Sequence, residues 1–388
     1  MKMRSCVFQV AILFVVLFAG RTVVQAQWTI QRSNTTADLR GIHSVDGKVA
    51  WASGTNGTVL LTVDGGTNWQ TCAIPPGAEK LDFRGVQAFD AKTAIVMSSG
   101  TGDLSRLYKT TDGCQTWKLV FKNPDKDGFW DALYFENKRT GWLLGDPVKD
   151  GFVLFASDDA GKTWIRQHNK GLHADPSMQG AFAASNSSLT AWGGFVGFAS
   201  GGKDGAFVYT VVQSETCADC SESDLDLEGR RNKWDRQPVL VGSSSESSGI
   251  FSIAELVREP PLSGPDNVMI AVGGDYKEPE NSKATAAFTK DHGRTWTSAV
   301  TMPHGYRSAV AWDAAAKMWI TVGPNGTDVS TDDGKNWSAL RPDAARGEAA
   351  DADRNWNALS LPFVVGPKGR IGRWSQGSGI RVQGSKRQ

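Results

Sequence analysis

This chain has no surplus of charge to direct it. Its 42 lysines and arginines face 41 aspartates and glutamates. Nothing therefore draws it as a whole to nucleic acid or to an anionic membrane, and any specificity must come from a local site. Histidine is scarce, with five residues scattered at 43, 168, 173, 292 and 304. No H-E-x-x-H, G-x-S-x-G or glycine-rich phosphate loop occurs. Neither a metal nor a cofactor is expected. His43 falls in an inner strand and reads as a core histidine, and His292 as a turn residue. Long helical periodicity is missing, and no apolar run beyond residue 20 is long enough to cross a membrane.

The first 26 residues stand apart. Lys2 and Arg4 precede the apolar run CVFQVAILFVVLFAG (6–20), and VQA (24–26) offers small residues for cleavage. This is the pattern of a secretory signal peptide cut after Ala26, with no transmembrane segment left after cleavage. A secreted or periplasmic protein is expected. Without the leader, 39 basic residues face 41 acidic ones. Export implies an oxidising compartment, so Cys72, Cys114, Cys217 and Cys220 are disulfide candidates. Cys217 and Cys220, in CADC, favour a small local disulfide. Spacing leaves a Cys72–Cys114 bond open.

What is abundant is glycine and tryptophan, with 43 and 15 residues. Short apolar stretches alternate with Gly/Asp/Asn/Pro turns, an all-β pattern. Five eight-residue segments repeat: TVDGGTNW (62–69), TTDGCQTW (110–117), SDDAGKTW (157–164), TKDHGRTW (289–296) and STDDGKNW (330–337). The tryptophans that open the strand after each hairpin are Trp28, Trp69, Trp117, Trp164, Trp234, Trp296 and Trp337. Their spacing fits one four-stranded blade per interval, stretched by insertions at 213–232 and 258–267. The expected fold is one all-β domain, 27–388, a seven-bladed β-propeller of four-stranded antiparallel blades. The N-terminal strand QWTIQRS (27–33) would complete the last blade and close the ring.

Each repeat falls where a tight hairpin is needed. Its Asp can accept hydrogen bonds from its own turn, its Gly tolerates positive φ, and its Trp can pack over the hairpin base. Cys114 stands where the other copies have Gly. The segments resemble Asp-boxes, the bacterial neuraminidase repeats of sialidases and sortilin-type receptors. That resemblance implies a structural role for Asp64, Asp112, Asp159, Asp291 and Asp332, away from the ligand face.

Strand direction then selects a candidate ligand face, where first strands begin and second strands end. The residues aligned at the first-strand starts are Arg40, Arg84, Asp131, Gln179, Ser248, Arg307 and Asn357. The second-strand ends add Asp146, Asp275, Tyr276, Asn325 and Lys368. Guanidinium forks grip carboxylates and phosphates in bidentate fashion, and Arg84 and Arg307 are the leading candidates. A solvated ring of mutually neutralising charges is the plainer alternative.

Three stretches, FRGVQAF…AIVMSSG…LYKTTDG…TWKLV (83–120), ALYFENKRTGWLLG…SDDAGKTW (132–164) and FVVGPKGRIGRW (363–374), resemble the photosystem II stability/assembly factor-like family. That resemblance implies a non-catalytic scaffold whose basic patch binds a protein client. An acidic or carboxylate-bearing ligand is the expected partner chemistry. The CADC insertion and the GDP and GGDY loops depart from the family pattern, so a photosystem role does not follow. The alternative is a sialidase-like or other glycoside hydrolase. The Arg-Ile-Pro signature of sialidases is missing, but Asp131 and Asp146 would supply a carboxylate pair.

Overall fold

The computed structural model describes residues 26–167, 171–192, 195–214, 231–256, 268–344 and 347–376. Residues 1–25 of the leader, Cys217, Cys220, most of the 213–232 insertion and all of the 258–267 insertion lie outside them. Seven antiparallel sheets follow one another along the chain, and a 3-10 turn spans Gly102–Leu104. Six sheets have four strands, and one has two short strands added at its inner edge. The expected seven-bladed propeller is the observed fold.

Alternation along the strands explains why the sheets stack into a ring. In Ala94–Ser98 every residue is buried. Ala94 and Val96 pack towards the first blade, while Ile95 and Met97 pack towards the third. Side chains of a strand point to opposite faces, so a strand apolar on both faces must be covered on both. The described residues form seven apolar clusters, one between each pair of neighbouring blades. A ring leaves no blade face uncovered.

The ring closes as the terminal sequences predict. Ala26–Gln31 pairs antiparallel with Ile371–Gln376, with Trp28 opposite Trp374. The Trp28 ring lies 4.9 Å from Trp374, and its Nε1 donates to Thr327 Oγ1 of the sixth blade at 3.1 Å. Closure pairs the outer edge of the seventh blade's third strand, which would otherwise be open to aggregation.

The five repeats adopt one hairpin geometry. In SDDAGKTW, Ser157 Oγ donates to Asp159 Oδ1 at 3.0 Å and accepts the Gly161 N–H at 2.9 Å. Asp159 also accepts the Thr163 N–H at 2.9 Å and the Thr163 hydroxyl at 2.8 Å. The same contacts recur at Asp64, Asp112, Asp291 and Asp332. Hydrogen bonds from the Thr116 side chain and backbone, then from Thr110, pull the Asp112 carboxyl down to about 2. The residue in the glycine slot is left-handed in every copy, and Cys114 takes that slot at φ 63°. The structure pairs Cys114 with Cys72, tying the second blade's hairpin to the outer strand of the first.

Candidate functional site

The end of the ring opposite these hairpins carries a cavity of about 500 Å³ over the central channel. Its polar wall comes from one recurrent irregularity. The pairing of first and second strands slips between Leu39 and Gly41, Phe83 and Gly85, Trp130 and Ala132, and Ile250 and Ser252. The residue skipped in each case is Arg40, Arg84, Asp131 or Phe251, and all four line the cavity. A bulge leaves one residue unpaired and re-aims its side chain. Four blades thus use the same bulge to point a side chain at one space.

Arg40 and Arg84 share a single carboxylate. Arg84 Nε lies 2.8 Å from Asp82 Oδ2, and Arg40 Nε lies 3.5 Å from Asp82 Oδ1. Both arginine side chains keep close to a third of their surface exposed. Part-exposed pairs of this kind are worth about 0–1 kcal/mol, so either guanidinium can turn to a ligand at little cost.

Asp131 and Asp146 complete the polar side. Asp131 is 1% exposed, and its Oδ2 has no hydrogen-bond partner among the described residues. Burial, then the Asp146 charge, push its carboxyl well above the ordinary range, with Arg84 opposing. Burial likewise raises Asp146 to about 6, against a hydrogen bond from the Ala181 N–H at 2.9 Å. The opposite wall is aromatic. Phe182 stacks on Phe251 at 3.9 Å between centroids, and Tyr306 meets Phe251 edge-on at 4.8 Å.

The floor is a chain segment that crosses the channel. Ser185 Oγ donates to Ser308 O at 2.6 Å, and Ser187 Oγ donates to Ser252 Oγ at 2.7 Å. Between them Asn186 accepts the Leu133 N–H at 2.7 Å and donates to Leu133 O at 2.9 Å. Three blades are tied to one plug. A Cβ at Gly85 would meet Asn186 Oδ1 at 2.6 Å, so a larger residue there would have to displace Asn186 from its bond to Leu133.

Of the residues predicted for this face, Arg40, Arg84, Asp131, Asp146, Tyr276 and Asn357 line the cavity. The others do not. Arg307 is fully buried, and its Nε donates to Asp328 Oδ2 at 2.8 Å. His304 closes that network, its Nδ1 2.9 Å from Asp328 Oδ1. Although burial opposes it, the His304 hydrogen bond and the Arg307 charge hold the Asp328 carboxyl below the ordinary range. The expected alignment is one residue off in this blade. Ala309 pairs with Val322, which sets Ser308 where Arg40 stands in the first blade and turns Arg307 inward.

Gln179 is a second correction. The first strand of the fourth blade is Leu189–Trp192, not 178–183. Gln179–Gly180 is instead an added edge pair on Gly201–Gly202, and Gln179 Oε1 accepts the Tyr209 hydroxyl at 2.9 Å. Ser248 and Asp275 are buried, and Asp275 accepts Ser245 Oγ at 2.6 Å. Asn325 belongs to the Arg307 network, and Lys368 lines a separate cleft beside Arg32 and Arg370. Sequence reasoning missed Phe182, Phe251, Asp82 and the plug.

Plug, bulges and cavity together describe a closed-channel, seven-bladed propeller with one mixed arginine, carboxyl and aromatic site at its mouth. No protein-family model and no curated protein sequence matches the chain. Solved structures do. YCF48 bound to D1 peptide is similar over 90% of this chain and 97% of its own, with a TM-score of 0.54 at 16% identity. YCF48 from Cyanidioschyzon merolae is similar over 90% of this chain and 99% of its own, with a TM-score of 0.52 at 18% identity. The likeness is one of fold, and it is the fold expected from the resemblance to assembly factor-like propellers.

Proposed function

We propose that this propeller is an exported, non-catalytic scaffold that docks a client protein at the channel mouth, with a client carboxylate on Arg40 and Arg84. The observation that carries this reading is the pair of part-exposed guanidinium groups that share the Asp82 carboxylate, beside an aromatic wall. Two guanidinium groups on one carboxylate leave N–H donors free for a ligand carboxylate, and the aromatic rings offer apolar area next to them. The solved structure of YCF48 with a D1 peptide is a precedent for peptide binding on this fold. Among the described residues no group of three His, Cys, Asp or Glu is placed to hold a metal ion, and no helix is long and apolar enough to cross a membrane.

A glycoside hydrolase is the second reading, supported by the raised carboxyl pair Asp131 and Asp146 in the same cavity. Burial of Asp131 and the Ala181 hydrogen bond on Asp146 weigh against a carboxylate free to attack a sugar.

The test is affinity capture from an envelope extract with the wild-type protein and an Arg40→Glu/Arg84→Glu variant of equal thermal stability. A client retained by wild type and lost by the variant is the expected result. Identical captures by both would sink the docking site, and a glycan hydrolysis screen would then take over.

A further inference from the structure

The arginine pair accounts for one half of the cavity and leaves the other unexplained. Asp131 and Asp146 face the same space as Arg84, and the buried Asp131 Oδ2 has no partner among the described residues. A buried polar atom without a partner is costly, so a structural role alone is a poor account of Asp131. We propose that the mouth cavity is a proton-linked carboxylate site, in which binding of a ligand carboxylate to Arg40 and Arg84 is accompanied by uptake of one proton on the Asp131–Asp146 pair. This rests on the docking reading above and adds its regulation.

The coupling is electrostatic. In the empty cavity Arg84 faces the pair and favours its ionised form, while burial disfavours it. A ligand carboxylate on Arg84 cancels that cationic help and adds a second negative charge to a site with little water. Two carboxylates that share a buried space then hold a proton more tightly. The other charged or titratable groups that face the pair are few. Asp82 lies behind the arginines, and Tyr276 and Tyr306 stand on the aromatic wall. Beyond Asp146 an adjoining chamber holds Asp127 and the Lys203–Glu246 pair, whose charges cancel at 2.6 Å. Tyr306 stays un-ionised near neutral pH, because burial raises its phenol further.

The sign follows from linkage. The empty pair takes up its last proton near the value of Asp146, about 6, and the occupied pair does so at higher pH. Between those two values affinity rises as pH falls, by at most tenfold per unit for one proton. The ligand class is a carboxylate with an apolar or aromatic body, held more tightly in a mildly acidic compartment than at neutral pH.

Hippurate, an aromatic carboxylate, is the probe. Its dissociation constant would be measured calorimetrically from pH 5 to pH 8, in buffers of different ionisation enthalpy, for wild type, Arg84→Gln and Asp131→Asn/Asp146→Asn. The expected wild-type result is binding about tenfold tighter at pH 5.5 than at pH 7.5, with net proton uptake. The double asparagine variant, fixed in the neutral form, should bind tightly at every pH with no proton uptake. Should that variant fold poorly, carbon-13 titration of the wild-type aspartate carboxyls, with and without hippurate, reads the same upward shift. Binding that depends on Arg84 but is flat with pH would overturn the proton link and leave the docking reading intact. No hippurate binding at any pH would overturn both.

Discussion

Arg40 and Arg84 occupy the same bulge position in adjacent blades and lean on one carboxylate, Asp82, from opposite sides. Arg307, which the sequence makes their equal, is locked to Asp328 in the interior. The same residue type is a movable ligand group at two positions and a fixed internal brace at the third. Exposure decides which, since desolvation makes a buried pair costly to break.

Arg307→Gln therefore acts on stability. Removing one partner of a buried ion pair strands the other charge and costs about 3–5 kcal/mol. Denaturant unfolding should show that loss, while Arg84→Gln, part-exposed and weakly paired, should stay within about 1 kcal/mol of wild type. Equal stabilities for the two variants would mean that Arg307 is not the brace its contacts describe.

Asp159→Ala removes the acceptor of the Thr163 and Lys162 N–H groups from one hairpin. A loss of about 1–2 kcal/mol is expected, with client capture unchanged because the hairpin lies at the other end of the ring. Capture that fell while the melting temperature held would contradict a purely structural role for the motif.

His43 sets a pH limit on the fold. Burial depresses its imidazole to about 4, and Nδ1 accepts the Ala88 N–H at 3.1 Å, a bond that only a ring unprotonated at Nδ1 can make. The unfolded chain binds this proton near 6.5 and the folded chain only near 4. Stability is therefore complete above about pH 6.5 and falls as pH drops through that window, by about 3 kcal/mol in all. In His43→Gln the slope of unfolding free energy against pH between 6.5 and 4 should flatten. An unchanged slope would assign the acid sensitivity elsewhere.

The Cys72–Cys114 bond closes a loop with a sequence separation of 42. Restricting the unfolded chain over that length is worth about 2–4 kcal/mol. Cys72→Ser/Cys114→Ser also leaves a serine in the left-handed slot, where the other copies have glycine. Thermal unfolding of the double variant should fall clearly below wild type, and Cys72→Ser/Cys114→Gly should recover part of the difference. Identical melting temperatures for wild type and both variants would remove the disulfide from any account of stability.

Much of the site was legible because it follows from repetition. The repeated hairpins and the tryptophan spacing report the blade count through contacts between near neighbours in sequence, and a spare strand beside a three-stranded last blade reports the closure. Arg40, Arg84, Asp131 and Asn357 were found by alignment because their blades keep the same offset from the start of the first strand. The method failed where the offset changed. A one-residue shift hid Arg307 in the interior, and a diversion of the chain before Leu189 displaced Gln179 from the ring.

By itself, then, the sequence determined the architecture, because a strand apolar on both faces and a hairpin closed by its own Asp need only local letters. The binding face was decided by tertiary structure. Whether a bulge aims a side chain at the channel, and whether residues 185–187 plug it, depends on contacts between blades far apart in the chain. Ser185 to Ser308 and Asn186 to Leu133 are bonds of that kind. Their partners are brought together only when the ring closes, and no local pattern marks them in advance.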